Sequence, residues 1–137
     1  MKEPPVTTRR ELIDRFGYHV ADRYNEALNM LKRSLSDSDV PAHRQFREYI
    51  SKLSPREREL AIAQSVLASF IHDFMSVLDE SDDFRIIGKL KDGAEYDLRD
   101  LCPEGLHGNQ LDWIEKYGKY EDIYQKIFAN EFLQNGL

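Results

Sequence analysis

At 137 residues, 41% hydrophobic and 11% aromatic, the chain has the apolar content to build the core of one ordinary domain. A net charge of -6 and a pI near 5.2 exclude the clustered basic patch that duplex nucleic acid demands. A single cysteine, Cys102, leaves no internal disulfide and suits a reducing compartment.

The charge is unevenly spread. Residues 1–78 hold 12 Lys+Arg against 11 Asp+Glu, a net of +1, whereas residues 79–122 hold 6 against 13, a net of -7. If charge steers a partner, that partner is basic. The start, Met-Lys-Glu-Pro-Pro, lacks an apolar leader. The longest apolar run, Leu60 to Val66 with Gln64 and Ser65 in it, is far short of the ~20 residues that span a bilayer. The expectation is a soluble cytoplasmic protein that meets neither membrane nor nucleic acid.

In chain order, residues 1–6, with Pro4 and Pro5, read as a frayed lead-in. Thr8 and Glu11 form a capping box. Behind it Ile13, Phe16, Val20, Tyr24, Ala27, Leu31 and Leu35 recur at steps of three and four, which predicts one helix from Arg9 to Leu35. Such a helix is ~40 Å long, against ~36 Å for the diameter of a compact chain of this size. It must bend at Gly17 or project beyond the globule. After the cap formers Ser36 to Asp39, Pro41 opens a short helix bearing Phe46, Tyr49, Ile50 and Leu53.

Ser54-Pro55-Arg56-Glu57 is the cleanest boundary: a hydroxyl cap, a proline with no N–H to lose, and a returning glutamate. The helix it opens runs to about Leu78 with apolar residues around most of its circumference. That predicts a central buried helix over residues 55–78.

Phe84 to Leu98 specifies a β-hairpin over 84–98. With Lys91-Asp92-Gly93 as a three-residue loop and Gly93 left-handed, Leu90 pairs with Ala94, Lys89 with Glu95, Gly88 with Tyr96 and Ile86 with Leu98. Every pair agrees in polarity or charge. A two-residue loop would set Leu90 against Glu95 and mix the faces. The apolar face (Phe84, Ile86, Leu90, Tyr96, Leu98) is expected to pack on the helices, because two strands alone are marginal in water. Leu101 to Gln110 reads as a loop. Asn109 caps a helix through Trp113, Ile114 and Tyr117 that ends at Gly118. A last helix starts at Glu121 and Asp122 and stops at Asn135-Gly136. The fold class is therefore α+β and predominantly helical: about five helices around a central buried helix with one β-hairpin packed on the bundle, in a single domain over 1–137.

The chemistry is sparse. Cys102 and His107 share a loop, but neither a CxxC nor an HxxxH occurs, so no metal or cofactor is expected. His72 shares a stripe with Ser65, Ser69 and Ser76, small residues that let a neighbouring helix approach. Among the acids, Glu95 and Asp97 face Lys89 and Arg85 across the hairpin, and Glu121-Asp122 offsets a helix dipole. Tryptophan and tyrosine anchor protein interfaces, and flanking acids select a basic partner. The candidate partner-binding residues are Asp82, Asp83, Glu95, Asp97, Asp112, Trp113, Glu115, Tyr117 and Tyr120. The expectation is a non-enzymatic protein-binding domain, in its specific form an immunity or inhibitor protein that docks on a basic partner. The alternatives are a structural or regulatory homodimer, paired through the long first helix or the outer hairpin edge, and an enzyme using His72 or the Cys102/His107 loop.

Overall fold

A computed structural model describes residues 3–36 and 38–119. The expected last helix, with its Glu121 and Asp122, and the candidate Tyr120 lie outside the described residues. Within them the elements are α1 (Arg9–Leu35), α2 (Pro41–Ser51), α3 (Pro55–Glu80), β1 (Ile87–Lys89), β2 (Glu95–Asp97), a 3-10 turn (Leu98–Leu101), α4 (Gly105–Gly108) and α5 (Gln110–Tyr117).

The helix starts follow their caps. The Glu11 amide donates to Thr8 Oγ at 3.1 Å, and the Glu11 carboxylate reaches back to the Thr7 amide and hydroxyl, each at 2.9 Å. At α3 the Glu57 amide donates to Ser54 Oγ, whose hydroxyl returns a bond to Glu57 at 2.7 Å. α1 is one continuous helix through Gly17.

The helix ends share a device that periodicity does not reveal. Each of the three longer helices has terminal carbonyls met by an arginine from later in the chain. Arg47 on α2 donates to Ser34 O of α1 at 3.1 Å and to Ser38 O at 2.7 Å. Arg58 on α3 donates to Ile50 O of α2 at 3.0 Å. Arg99, in the 3-10 turn, donates to Leu78 O, Asp79 O and Ser81 O at 3.2, 3.1 and 2.8 Å. A cation at a helix C-terminus satisfies orphan carbonyls and complements the negative end of the dipole.

α1 and α3 run antiparallel. Phe16 meets Phe74 edge-on at 5.8 Å, and farther along Ser69 Oγ lies 3.7 Å from Met30 Sδ. α2 closes one end, where Phe46, Ile50 and Ala61 form a buried cluster backed by Tyr49, Leu53 and Ile62. α4 lies along the C-terminal half of α3. α3 is thus the hub, touching α1, α2 and α4, but it is enclosed on one face only. Ala61, Ser65, Ala68 and Ser69 are buried while Leu60, Leu67 and Ile71 are exposed. By length and composition α3 would also pass for a membrane-crossing helix, with a mean hydropathy of 1.4. The short apolar run from Leu60 to Val66 understates that, because a few polar residues, Gln64, Ser65 and Ser69 among them, interrupt the apolar sequence without lowering the average much.

The hairpin has the expected register: Ile87 opposite Asp97, Gly88 opposite Tyr96, Lys89 opposite Glu95. Leu90 N donates to Ala94 O at 2.8 Å, Leu98 N to Ile86 O at 2.9 Å, and Gly93 has φ 95°. Nothing lies within 4 Å of a β-carbon at Gly93, so the left-handed backbone is the sole demand there. Gly93→Ala is expected to cost about 1 kcal/mol through that conformation; urea unfolding at fixed pH reads it. The hairpin meets the helices at its base, through Phe84, whose ring stands 5.4 Å from Phe16. Ile86, Leu90 and Tyr96 stay exposed, against the expectation of a buried apolar face. Leu98, not Tyr96, covers Gly88, its Cδ2 standing 3.1 Å from a β-carbon placed there.

Two further segments differ from the sequence reading. The stretch read as a loop from Leu101 to Gln110 contains α4 and begins in the 3-10 turn. The lead-in is tied down: Glu3 stands 3.2 Å from His19 Nε2 and 3.8 Å from Arg15, whose guanidinium also donates to Pro4 O.

Candidate functional site

Carboxylates gather around the C-terminal end of α3, and they divide into two kinds. Those of the first kind hold the chain together. Asp97, expected on the open charged face, has a side chain only 8% exposed: Oδ1 accepts from the Arg99 amide at 3.0 Å, and Oδ2 meets the Arg99 guanidinium at 3.2 Å and Arg85 at 3.7 Å. The Arg99 amide foremost, then its side chain, outweighs burial and holds Asp97 below the usual carboxylate range. Asp97 therefore orients the arginine that closes α3 and leaves the docking set. Asp83 leaves it too, bound to Arg15 at 2.7 Å. The Arg85 partner of Asp97 is the one expected across the hairpin; the Arg99 partner of Asp97 and the Arg15 partner of Asp83 come from outside it, which a count of charge along the chain does not show.

Asp79 is the third scaffold carboxylate, and sequence reasoning missed it. It accepts from the Leu106 amide at 2.8 Å, the His107 amide at 3.0 Å and the His107 ring Nδ1 at 2.6 Å. That single side chain docks the first turn of α4 on α3. Gly105 makes the approach feasible: with φ 80°, a β-carbon there would stand 2.8 Å from Asp79 Oδ2. A Gly opening a turn after Pro103 was the available signal, read as loop chemistry instead. His72 rests edge-on against His107 at 5.4 Å and lies 3.3 Å from Asp73. Ser65 and Ser69 are buried, as close approach of a neighbour requires, and Gln110 Nε2 donates to Ala68 O at 2.9 Å alongside them. Cys102 is half-buried. Among the described residues no three His, Cys, Asp or Glu side chains converge as a metal site.

Beside this end of α3 lies a cleft of about 490 Å³, lined among others by Glu3, Arg15, His19, Glu80 and Asp83. Its cation is engaged, since Arg15 faces Glu3, Asp83 and the Pro4 carbonyl at once. The cleft is therefore acid-lined, with no uncommitted arginine to hold an anion.

The acids of the second kind point outward. Glu95, Asp112 and Glu115 are exposed, as is Asp82. On α5, Trp113 and Tyr117 stand four residues apart and so share one face. They are 37% and 70% exposed, and Lys116 Nζ lies 5.2 Å from the centre of the Tyr117 ring. Asp112 and Glu115 flank this pair. The structure thus separates the predicted set into a scaffold part (Asp83, Asp97) and an outward part (Asp82, Glu95, Asp112, Trp113, Glu115, Tyr117).

No family model matches the chain, and neither a curated protein nor a solved structure matches it. A functional reading of the outward ridge therefore rests on its own chemistry.

Proposed function

We propose that the chain is a non-enzymatic protein-binding domain that docks on a basic surface of another protein through the Trp113/Tyr117 ridge of α5. The observation that carries this reading is the exposure of the ridge between two exposed acids. A large ring left in water is a poor use of its apolar area unless something covers it, and aromatic residues ringed by charge are the usual energetic centre of an interface. Asp112 and Glu115 give the ridge a sign, with Glu95 and Asp82 adding to the field at longer range. In its specific form the domain is an immunity or inhibitor protein that blocks a basic toxin or nuclease inside the cell. Size, acidity and the engaged state of the cleft's cation fit that role.

The test is affinity capture from the native host, comparing the wild-type chain with Asp112→Lys/Glu115→Lys. A basic partner held by the wild type is expected to be lost from the double variant, and the wild-type complex is expected to weaken as salt rises. Trp113 is the sole tryptophan, so a shift of its emission on adding the purified partner reports contact at the ridge itself. An unchanged capture profile after charge reversal rejects the reading.

A further inference from the structure

Most of the large apolar residues that α1 and α3 leave uncovered form stripes; Leu12 and Tyr18, also exposed, lie off them. On α1, Ile13, Tyr24, Leu28 and Leu35 are 64, 59, 40 and 42% exposed, and steps of eleven, four and seven keep them on one helical face. On α3, Leu60, Leu67 and Ile71 are 42, 59 and 37% exposed at steps of seven and four. The two stripes open on the same side of the helix pair. Phe74 follows Leu67 and Ile71 in line, and it meets Phe16, which is one turn from Ile13. That contact marks the edge of the α1–α3 seam bordering both stripes. Met30 against Ser69 marks the opposite edge, the side of α3 on which Gln110 binds Ala68.

Gly17 stands one turn after Ile13 on the striped face, with nothing within 4 Å of a β-carbon placed on it. A mid-helix glycine costs about 1 kcal/mol relative to alanine. No contact among the described residues calls for one here; a close approach by another backbone does.

We infer that this face is the interface with a second copy of the chain, the two antiparallel helix pairs closing into a four-helix bundle about a two-fold axis. Three features select a second copy. The stripe from Ile13 to Leu35 is ~33 Å long at ~1.5 Å per residue, and two helices packed side by side present a width of ~20 Å. With the α3 stripe from Leu60 to Ile71 only ~17 Å long, the apolar part of the face is ~500 Å², more than half of the ~800 Å² each partner gives to a stable interface. An identical pair matches that length and apolar character, and helix pairs crossing at ~20° interdigitate as four-helix bundles do. The stripes also lie within residues 1–78, whose charge nearly balances at +1, so two copies of an acidic protein meet here without opposing their acidic segments.

Sedimentation of the full chain over a wide range of concentration tests the inference. The wild type is expected to run as a dimer that dissociates on dilution, with a Tm that rises with concentration. Leu67→Glu places a charge at the centre of the contact and is expected to weaken association at least about tenfold. Gly17→Leu tests the same contact from α1: open space receives the side chain in the single copy, so far-UV circular dichroism is kept while association falls. A full chain that is monomeric at every concentration overturns the inference, whether residues 120–137 or a different protein covers the face. So does an unchanged association constant in both variants. The α5 ridge is a separate surface, so Asp112→Lys/Glu115→Lys is expected to remain dimeric.

Discussion

Arg99→Ala is expected to destabilise the fold by about 3 kcal/mol, read as a lower urea midpoint at unchanged slope. One guanidinium donates to three carbonyls at the end of α3 and is itself held by Asp97, so its removal strands several acceptors at once. A hydrogen bond to a charged group is worth ~1.5–3 kcal/mol, and three on one partly solvated side chain do not add in full. Arg99→Lys is expected to recover only a small part of the loss, since an ammonium cannot span the fork that the guanidinium fills. If the alanine variant unfolds at the wild-type midpoint, the clasp between the hairpin base and α3 contributes nothing.

The second large effect is at Asp79. Asp79→Ala removes the acceptor for two α4 amides and the His107 ring, and is expected to cost about 2–3 kcal/mol. Hydrogen exchange gives the sharper readout: the Leu106 and His107 amides lose protection while the α1–α3 contact keeps its own. The wild-type site also has a pH signature. Burial pushes the Asp79 carboxyl up, but bonds from the His107 amide and ring and from the Leu106 amide outweigh burial and hold it below the usual range. The unfolded chain restores the ordinary value near ~4. Between the two values the unfolded state binds the proton and the folded state does not. Stability is therefore complete above the ordinary value and drains away as pH falls through the lowered one. Asp97 adds a contribution of the same sign. In Asp79→Asn the Asp79 share of this acid sensitivity is expected to vanish, so the wild-type and variant curves converge at low pH.

How much of this was legible in the sequence depends on how local each decision is. The Thr8 and Ser54 caps, the proline at the start of α2, and the end of α5 at Gly118 are settled within four residues, and each stands where the pattern put it. The hairpin register belongs with them, because Gly93 and a side-chain period of two leave one pairing that keeps charge with charge. α4 was lost in a predicted loop because its helical turn depends on Asp79, a carboxylate 27 and 28 residues upstream of the amides it binds. The acids behaved likewise: Asp97 and Asp83 serve arginines from other elements, and only Asp112, Glu115, Glu95 and Asp82 remain outward. On α3 the pattern reported correctly which residues are apolar. It said nothing of how many neighbours the chain supplies to cover them, and the described elements cover one face.

The arginine clasps imply an order of assembly. Arg47, Arg58 and Arg99 each reach a carbonyl between about eight and twenty residues earlier in the chain. Each junction can therefore close as soon as its own stretch is made, with little loop entropy to overcome. Synthesis from the N-terminus would lock α1 to α2, then α2 to α3, and last α3 to the base of the hairpin, leaving the α1–α3 seam, where Phe16 meets Phe74 and Arg15 meets Asp83, as the long-range search. A chain stitched in this way is expected to refold quickly, with its slowest step reserved for whatever meets the bare flank of α1 and α3.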